Sequence, residues 1–461
     1  MSCNLIKSKE VQEILNKIDE YCSMNNIKKD LKVKPLSEYE LSNLPELPNL
    51  WGWVISNDIS TFITNGVHSP TSTMDELGIN KKMLRITDLK DNEEPNFENL
   101  PYCKRFKDKD CEKTIKKNDI YISFTGNKLG KRYIVKKDKE DVVFAHYFVR
   151  WQPLIVNPKY IYYVLLSHHF DRFMYEHTLG STQPNLKVTD LKRVPLPLAP
   201  LLEQDKIAKV LSNLDEKIKV NNQINKKLEA MAQSIFKHWF VDFEFPNENG
   251  EPYKSSGGEM EESELGMIPK GWQASRLSEV ADITMGQSPK GSSYNEDGIG
   301  EVFYQGRTDF SDRFPVRRLF TTEPKKMAKL GDVLLSVRAP VGDINIAYED
   351  CCIGRGLCSI RSKDEHSSYI FHLMMNLKEK LNIYNNEGTV FGAINKGTLS
   401  NISIVKPDNY RIEMFNKLAS SLDKQYLCFG KQNRNLLLLR DALLPKLMSG
   451  EIRVPVDTNQ D

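Results

Sequence analysis

Few stretches of this chain place reactive side chains at a spacing that could do chemistry. Gly126–Asn127–Lys128–Leu129–Gly130–Lys131–Arg132 comes nearest to a loop whose backbone N–H groups and lysine cradle phosphates, which needs Gly-x-x-x-x-Gly-Lys-Ser/Thr. It is one residue short and ends in arginine, so it offers no ATP-driven motor. Cys351–Cys352 with Cys358 has neither Cys-x-x-Cys nor histidine spacing, and a buried strand suits it better than zinc. His68, His146 and His177 have no spaced partners, and no acidic cluster with a trailing lysine suggests a nuclease centre. What remains is charge. Residues 81–150 hold 18 Lys+Arg against 12 Asp+Glu, within a chain whose net charge is only +2. A second cluster comprises Arg307, Arg313, Arg317, Arg318, Lys325, Lys326 and Lys329. Such clusters can neutralise phosphates and give salt-dependent affinity, although a solvated surface has the same composition. The chemistry on offer is binding, and no metal ligand set or catalytic residue is expected.

The elements that would position these groups occur twice. Residues 180–236 overlay 388–444 at a constant offset of 208. Gly180 falls on Gly388, Leu191 on Leu399, Leu214–Asp215 on Leu422–Asp423, and Asn225 on Asn433. Upstream the echo continues at shifted offsets: Gly52–Trp53 with Gly271–Trp272, and Asn118–Asp119–Ile120 with Gly331–Asp332–Val333. Internal repeats fix an architecture, and two-fold pseudo-symmetry in one chain suits a two-fold pseudo-symmetric partner such as duplex DNA. The repeat also bears on Asn157–Pro158–Lys159–Tyr160, which approaches the Asn-Pro-Pro-Tyr loop of adenine methyltransferases but lacks its second proline. Tyr160–Ile161 maps to Tyr369–Ile370, preceded by His366–Ser367–Ser368, so a helix N-terminus is the better reading.

Each copy ends in a long helix. The first carries a seam of Ile207, Leu211, Leu214, Ile218, Asn221, Asn225, Leu228, Ala232 and Ile235, with alternating intervals of four and three, which is a heptad pattern. The second gives Phe415, Ala419, Leu422, Tyr426, Phe429, Asn433 and Leu436, then drifts at Arg440 toward Leu443 and Leu444. Each seam needs a partner, and the other helix of the same chain is the nearest. Asn225 and Asn433 are polar seam positions that cost stability and fix register. Each helix would be roughly 50 Å long.

The expected organisation is an N-terminal extension (1–44), a first globular domain (45–200), a long helix (201–245), a linker (246–267), a second globular domain (268–408), a second long helix (409–450) and a tail (451–461). Short strands bounded by turns, with occasional helices, predict an α+β class with two mixed α/β domains. No run of about 18 apolar residues could span a membrane. Met1 to Lys9 lacks the apolar core of an export signal, and eight scattered cysteines suit reduced thiols in a cytoplasm.

With this arrangement the chain resembles the specificity subunit of type I restriction-modification systems. The match is carried by His238–Trp239–Phe240–Val241–Asp242–Phe243, Tyr253–Lys254–Ser255–Ser256–Gly257–Gly258, Ile268–Pro269–Lys270–Gly271–Trp272, Gly286–Gln287–Ser288–Pro289, Tyr304–Gln305–Gly306, Arg338–Ala339–Pro340–Val341–Gly342, Gly354–Arg355–Gly356 and Leu443–Leu444–Pro445–Lys446–Leu447–Met448–Ser449–Gly450–Glu451–Ile452. It covers residues 45–452. The resemblance implies two target-recognition domains, each reading half of a split asymmetric site in double-stranded DNA. It implies an antiparallel coiled coil that sets the gap, with seam residues Ile207, Leu211, Leu214, Ile218, Asn225, Leu228, Ile235, Phe415, Leu422, Tyr426, Asn433, Leu436 and Leu443. It also implies two methylation subunits, and motor-nuclease subunits joined through the complex. S-adenosylmethionine, ATP and magnesium would belong to those partners, leaving this chain non-catalytic and without a cofactor.

Major-groove readout needs amide groups for adenine and guanidinium groups for guanine, presented by loops on a firm scaffold. The candidates in the second domain are Gln287, Ser288, Tyr294, Asn295, Gln305, Arg307 and Arg338. By analogy those in the first are His68, Ser69, Thr87, Asn127 and Lys128. Two competing readings are a fused restriction-methylation enzyme, which needs a cofactor loop the chain does not offer, and a coiled-coil scaffold, which leaves the paired domains with basic loops unexplained.

Overall fold

The computed structural model describes residues 8–455, except 31–32, 35, 38–39, 41, 64–65, 90–93, 127, 179–184 and 386–391. Gly180, Gly388 and Asn127 therefore lie outside the described residues. The chain forms two compact units, Met1–Asn221 with Gln432–Asp461, and Asn222–Lys431. The division runs through both long helices, so each unit owns part of each.

In the first unit, Gly52–Ile55 pairs with Pro195–Leu198. A four-stranded sheet follows in the order Ser60–Ile63, Phe148–Pro153, Ile120–Ser123, Arg132–Ile134. A five-stranded sheet runs Thr71–Ser72, Tyr102–Cys103, Lys82–Leu84, Lys139–Phe144, Thr114–Ile115. The run from Val142 to Arg150, which reads as one strand, is broken at Ala145–His146–Tyr147 and feeds both sheets. Leu84, Tyr121, Phe144 and Phe148 form a buried cluster drawn from the two sheets. A larger cluster unites the other face of the four-stranded sheet with the helix Pro158–Leu165 and the long-helix residues Ile207, Leu211, Leu444 and Leu447. Asn157 caps the Pro158 helix by accepting from the N–H groups of Lys159 and Tyr160, as a helix start requires. The N-terminal helix Lys9–Met24 buries Val11, Ile14, Leu15, Ile18 and Cys22 in that same core.

The second unit repeats these three sheets in the same strand order and adds a hairpin, Met260–Ser263 with Gly266–Pro269. Gln273–Arg276 pairs with Ser403–Lys406. The four-stranded sheet is Ala281–Met285, Leu357–Ser362, Val333–Ser336, Ile344–Ile346. The five-stranded sheet is Tyr294–Asn295, Leu319–Thr321, Glu301–Tyr304, Cys351–Ile353, Met327–Ala328. In both five-stranded sheets the third and fourth strands are the parallel pair. Cys351, Cys352 and Cys358 are buried on strands, where burial raises their thiol pKa values, to about 12 for Cys358.

One alignment needs correcting. Pro195–Leu198 and Ser403–Lys406 are 208 apart, and their pairing registers put Gly52 opposite Leu198 and Gln273 opposite Lys406. The structural counterpart of Trp272 is therefore Trp51, not Trp53. Both indoles are buried and donate to a carboxylate, Trp51 to Glu203 at 2.9 Å and Trp272 to Asp408 at 3.2 Å. The Asp119–Asp332 match holds. Each buried carboxylate stands before a central strand and accepts from its neighbour: Asp119 from Gln152 at 3.0 Å, and Asp332 from Ser359 at 2.7 Å and Arg361 at 2.8 Å.

The long helices span Leu201–Phe240 and Asn409–Ser449. Of the expected seam, Ile207, Leu211, Ile218, Asn225, Leu228, Phe415, Tyr426 and Asn433 are buried, and Leu214, Ile235, Leu422, Leu436 and Leu443 are half-buried. In the first unit Asn221 contacts Asn433 and Asp215 contacts Arg440, so the segments run antiparallel. Asn433 receives its hydrogen bond from Asn221 at 2.8 Å, and Asn221 also donates to Gln432 at 2.8 Å. In the second unit Phe236 and Phe240 pack on Phe415, with centroids 5.5 and 5.2 Å away. Among the described residues no helix is long and apolar enough to cross a membrane, and no group of three or more His, Cys, Asp or Glu side chains is placed to hold a metal ion.

Candidate nucleic-acid interface

Of the second unit's candidates, Gln287, Ser288, Gln305 and Arg338 lie on loops that leave the two sheets, Tyr294 and Asn295 form an edge strand of the five-stranded sheet, and Arg307 opens a short 3-10 helix, Arg307–Asp309. Gly286, at the end of strand Ala281–Met285, runs against the turn Gly354–Arg355–Gly356. A Cβ on Gly286 would meet the Gly354 carbonyl oxygen at 2.2 Å, so only glycine allows this approach. The Gln287 N–H donates to Ile353 at 2.9 Å and the Arg355 N–H to the Ser288 hydroxyl at 3.2 Å. Gly354 in turn crosses Gln305, whose carbonyl oxygen lies 2.7 Å from where its Cβ would stand. The structure thus brings Gln287, Ser288, Gln305 and Arg338 together. A groove of about 400 Å³ is lined by Gly286, Val337, Arg338, Arg355 and Asn395, so of the four only Arg338 opens onto it. Gln287, Gln305, Arg338 and Arg355 are exposed.

Other candidates are used internally. The Asn295 amide closes its own turn, donating to Ile299 at 2.8 Å and accepting from it at 3.0 Å. The Tyr294 hydroxyl donates to Pro289 at 3.0 Å. Arg307 is exposed but paired with Asp343 at 2.5 Å. The basic cluster expected to neutralise phosphates is largely consumed: Arg317 pairs with Glu349, Arg318 with Asp309 and Lys329 with Asp350, while Arg313 is buried against Asp423. Among the described residues neither Arg338 nor Arg355 makes an ion pair. Arg355 is the residue that sequence reasoning passed over, although its Gly-Arg-Gly setting was visible.

In the first unit Gly66 takes the place of Gly286, its would-be Cβ 2.5 Å from the Ala145 carbonyl oxygen. His68 is exposed and stacks on His146, with centroids 4.3 Å apart and planes 11° from parallel. Tyr147 adjoins, with its centroid 3.7 Å from that of His146. These histidines, 78 positions apart, looked solitary in the sequence. Burial and the neighbouring His68 lower the pKa of His146, which keeps it neutral near pH 7. Ser69 is occupied, donating to Pro70 and accepting from the Arg105 N–H at 2.8 Å. Thr87 is exposed on the short 3-10 helix Ile86–Asp88, and Lys128 is exposed on a turn. Arg85 clamps Asp88 through two bonds, at 3.0 and 2.8 Å.

Set beside known proteins, the two units coincide with a family model. Residues 57–230 and 269–411 each match the type I restriction modification DNA specificity domain. The chain is 30% identical over 431 residues to a Methanocaldococcus jannaschii protein named as the type I restriction enzyme MjaX specificity subunit, covering 90% of this chain and 97% of that one. It is 25% identical to the HindI specificity subunit of Haemophilus influenzae, covering 74% and 88%. A crystal structure of the type I restriction-modification S subunit from M. genitalium shares the fold, at 14% identity and a TM-score of 0.54, over 88% of this chain and 97% of that one. The chain belongs to the type I restriction-modification DNA specificity family, and its role is DNA sequence recognition.

Proposed function

We propose that each unit reads one half of a split, asymmetric DNA site, and that the long helices set the gap between the halves. One observation carries this reading: the two units share a strand pair, a four-stranded sheet and a five-stranded sheet in the same strand order, yet their loop tips carry different side chains. A shared scaffold with divergent tips suits a pseudo-symmetric duplex whose two halves differ in sequence. Helices of 40 and 41 residues rise about 60 Å, ample for half-sites roughly 34–36 Å apart.

In this reading the chain is non-catalytic and works in the cytoplasm with two methylation subunits and, through them, motor-nuclease subunits. S-adenosylmethionine, ATP and magnesium serve those partners. The base-reading groups are Gln287, Ser288, Gln305, Arg307 and Arg338 in the second unit, and His68, Thr87 and Lys128 in the first. Tyr294, Asn295 and Ser69 shape the loops that present them.

The test is methylome sequencing of a methylation-free bacterial host that expresses this chain with its neighbouring methyltransferase subunit. Methyl-adenine in one two-part motif with a fixed gap is expected, and Gln287→Ala or Arg307→Ala should relax one half only. Methylation without a two-part motif, or relaxation of both halves, would refute the reading.

A further inference from the structure

The registers of the two units allow their loop tips to be equated residue by residue, which the sequence offsets do not. The Ala145 N–H donates to Leu84 and the Gly354 N–H to Tyr304, at 3.0 and 2.8 Å. The turns then close alike, Phe148 N–H to Ala145 and Leu357 N–H to Gly354, at 3.1 and 3.0 Å. Ala145 therefore equals Gly354, and the next residue, His146, equals Arg355. The same logic applies to their neighbours. The Val67 N–H donates to Phe144 as the Gln287 N–H does to Ile353, so His68 equals Ser288. The isolated bridges Thr125–Asn185 and Arg338–Ala393 make Thr125 the counterpart of Arg338.

Resting on the function proposed above, we infer that His146 and Arg355 occupy one shared reading position, filled by a stacked imidazole pair in the first unit and a guanidinium in the second. Each touches the residue equivalent to its partner's neighbour. His146 stacks on His68, and the Arg355 N–H donates to the Ser288 hydroxyl. Among the described residues Arg355 and Arg338 line one groove without a carboxylate, although Arg307, Arg317 and Arg318 nearby are each paired. Two exposed guanidinium groups without an ion pair among the described residues call for an acceptor-rich partner, and the O6/N7 edge of guanine accepts such a group through two bonds. The His68–His146 pair presents flat rings and single ring nitrogens. It has no two-pronged donor, so it selects a base by stacking and one hydrogen bond. The second half-site therefore contains a guanine read by Arg355, and the first contains a position set by His146 without a cation.

The experiment uses the full chain co-expressed with its methylation subunit in a methylation-free host, with methyl-adenine mapped genome-wide. Arg355→Ala should keep both halves and their gap while discrimination at one guanine of one half falls roughly 5- to 150-fold. His146→Ala should relax one position of the other half and leave the first untouched. Arg355→Lys and His146→Gln are read in the same way should an alanine variant fail to co-purify with its partner. The inference is overturned if either variant keeps every position of the parent motif, if both relax the same half, or if methylation falls evenly over all sequences. A parent protein that yields no two-part motif overturns the underlying reading as well, which separates the two failures.

Discussion

Replacing Asp423 with asparagine should unfold the second unit far more readily than the matching change at Asp215. Asp423 lies on the second long helix, 208 residues beyond Asp215. Its carboxylate accepts from Arg313, a side chain only 2% exposed that is held between Phe371 and Tyr426 at 4.2 and 4.6 Å. It also accepts from the Ser368 hydroxyl at 2.5 Å. Losing the negative partner leaves a buried guanidinium without an ion pair, which costs about 3–5 kcal/mol, and the flanking rings with the nearby Glu229 carboxylate return about 1. Asp215 bonds Tyr163 and Arg440 but is 34% exposed, so asparagine there should cost about 1 kcal/mol or less. Urea unfolding followed by hydrogen exchange would report each unit separately. The pH dependence has a definite sign. Burial raises the Asp423 pKa, but His372, Arg313 and Ser368 outweigh it and hold the carboxyl below its ordinary value. Its contribution is therefore present above about pH 4 and lost as pH falls through the folded value, a limb that Asp423→Asn should lack. A loss below 1 kcal/mol, or one equal to that of Asp215→Asn, would refute the argument.

Two further outcomes follow from the geometry. Gly286→Ala should push the Gln287–Ser288 loop off the Gly354 turn, costing about 1–3 kcal/mol and blurring one half-site in the methylome. Gly306→Ala, whose Cβ would meet nothing within 4 Å, is the matched control and should leave the motif intact. Asn221→Leu combined with Asn433→Leu removes a buried polar pair, including an Asn221 carbonyl oxygen with no partner, and should raise the thermal midpoint of unfolding. An unchanged or lower midpoint would show that the amides stabilise the helices.

Legibility in the sequence followed the lengths of the loops. The 208 offset is plain because no insertion separates Pro195–Leu198 from the long helix, nor Ser403–Lys406 from its own. Upstream, turns of unequal length shift the match from 221 at Trp51 to 213 at Asp119 and 209 at His146. Matching the shared Gly-Trp dipeptide therefore mistakes Trp53 for the partner of Trp272, and a fixed offset of 208 never sets His146 against Arg355. Charge counting misled for another reason. Composition cannot show that Arg317, Arg318 and Lys329 already have carboxylates, nor that Arg313 is buried in the unit it was expected to decorate. The heptads were legible because burying a long helix demands a stripe, and the stripe is written in the residues themselves.

The placement of the reading positions also bears on how new recognition could arise. The four- and five-stranded sheets are locked by buried clusters and by Asp119 and Asp332, none of which lies at a loop tip. At the tips only backbone hydrogen bonds and two close glycine crossings are shared. Exchanging His146 for an arginine, or Arg355 for a histidine, alters exposed or half-buried side chains and no ladder bond. Surface substitutions of this kind usually shift stability within about 0.5 kcal/mol, whereas a base contact is worth about 1–3. Specificity can therefore change by an order of magnitude at a stability cost too small to unfold the unit. The constraint falls on Gly66 and Gly286, where any side chain strikes a neighbouring carbonyl whatever base is being read.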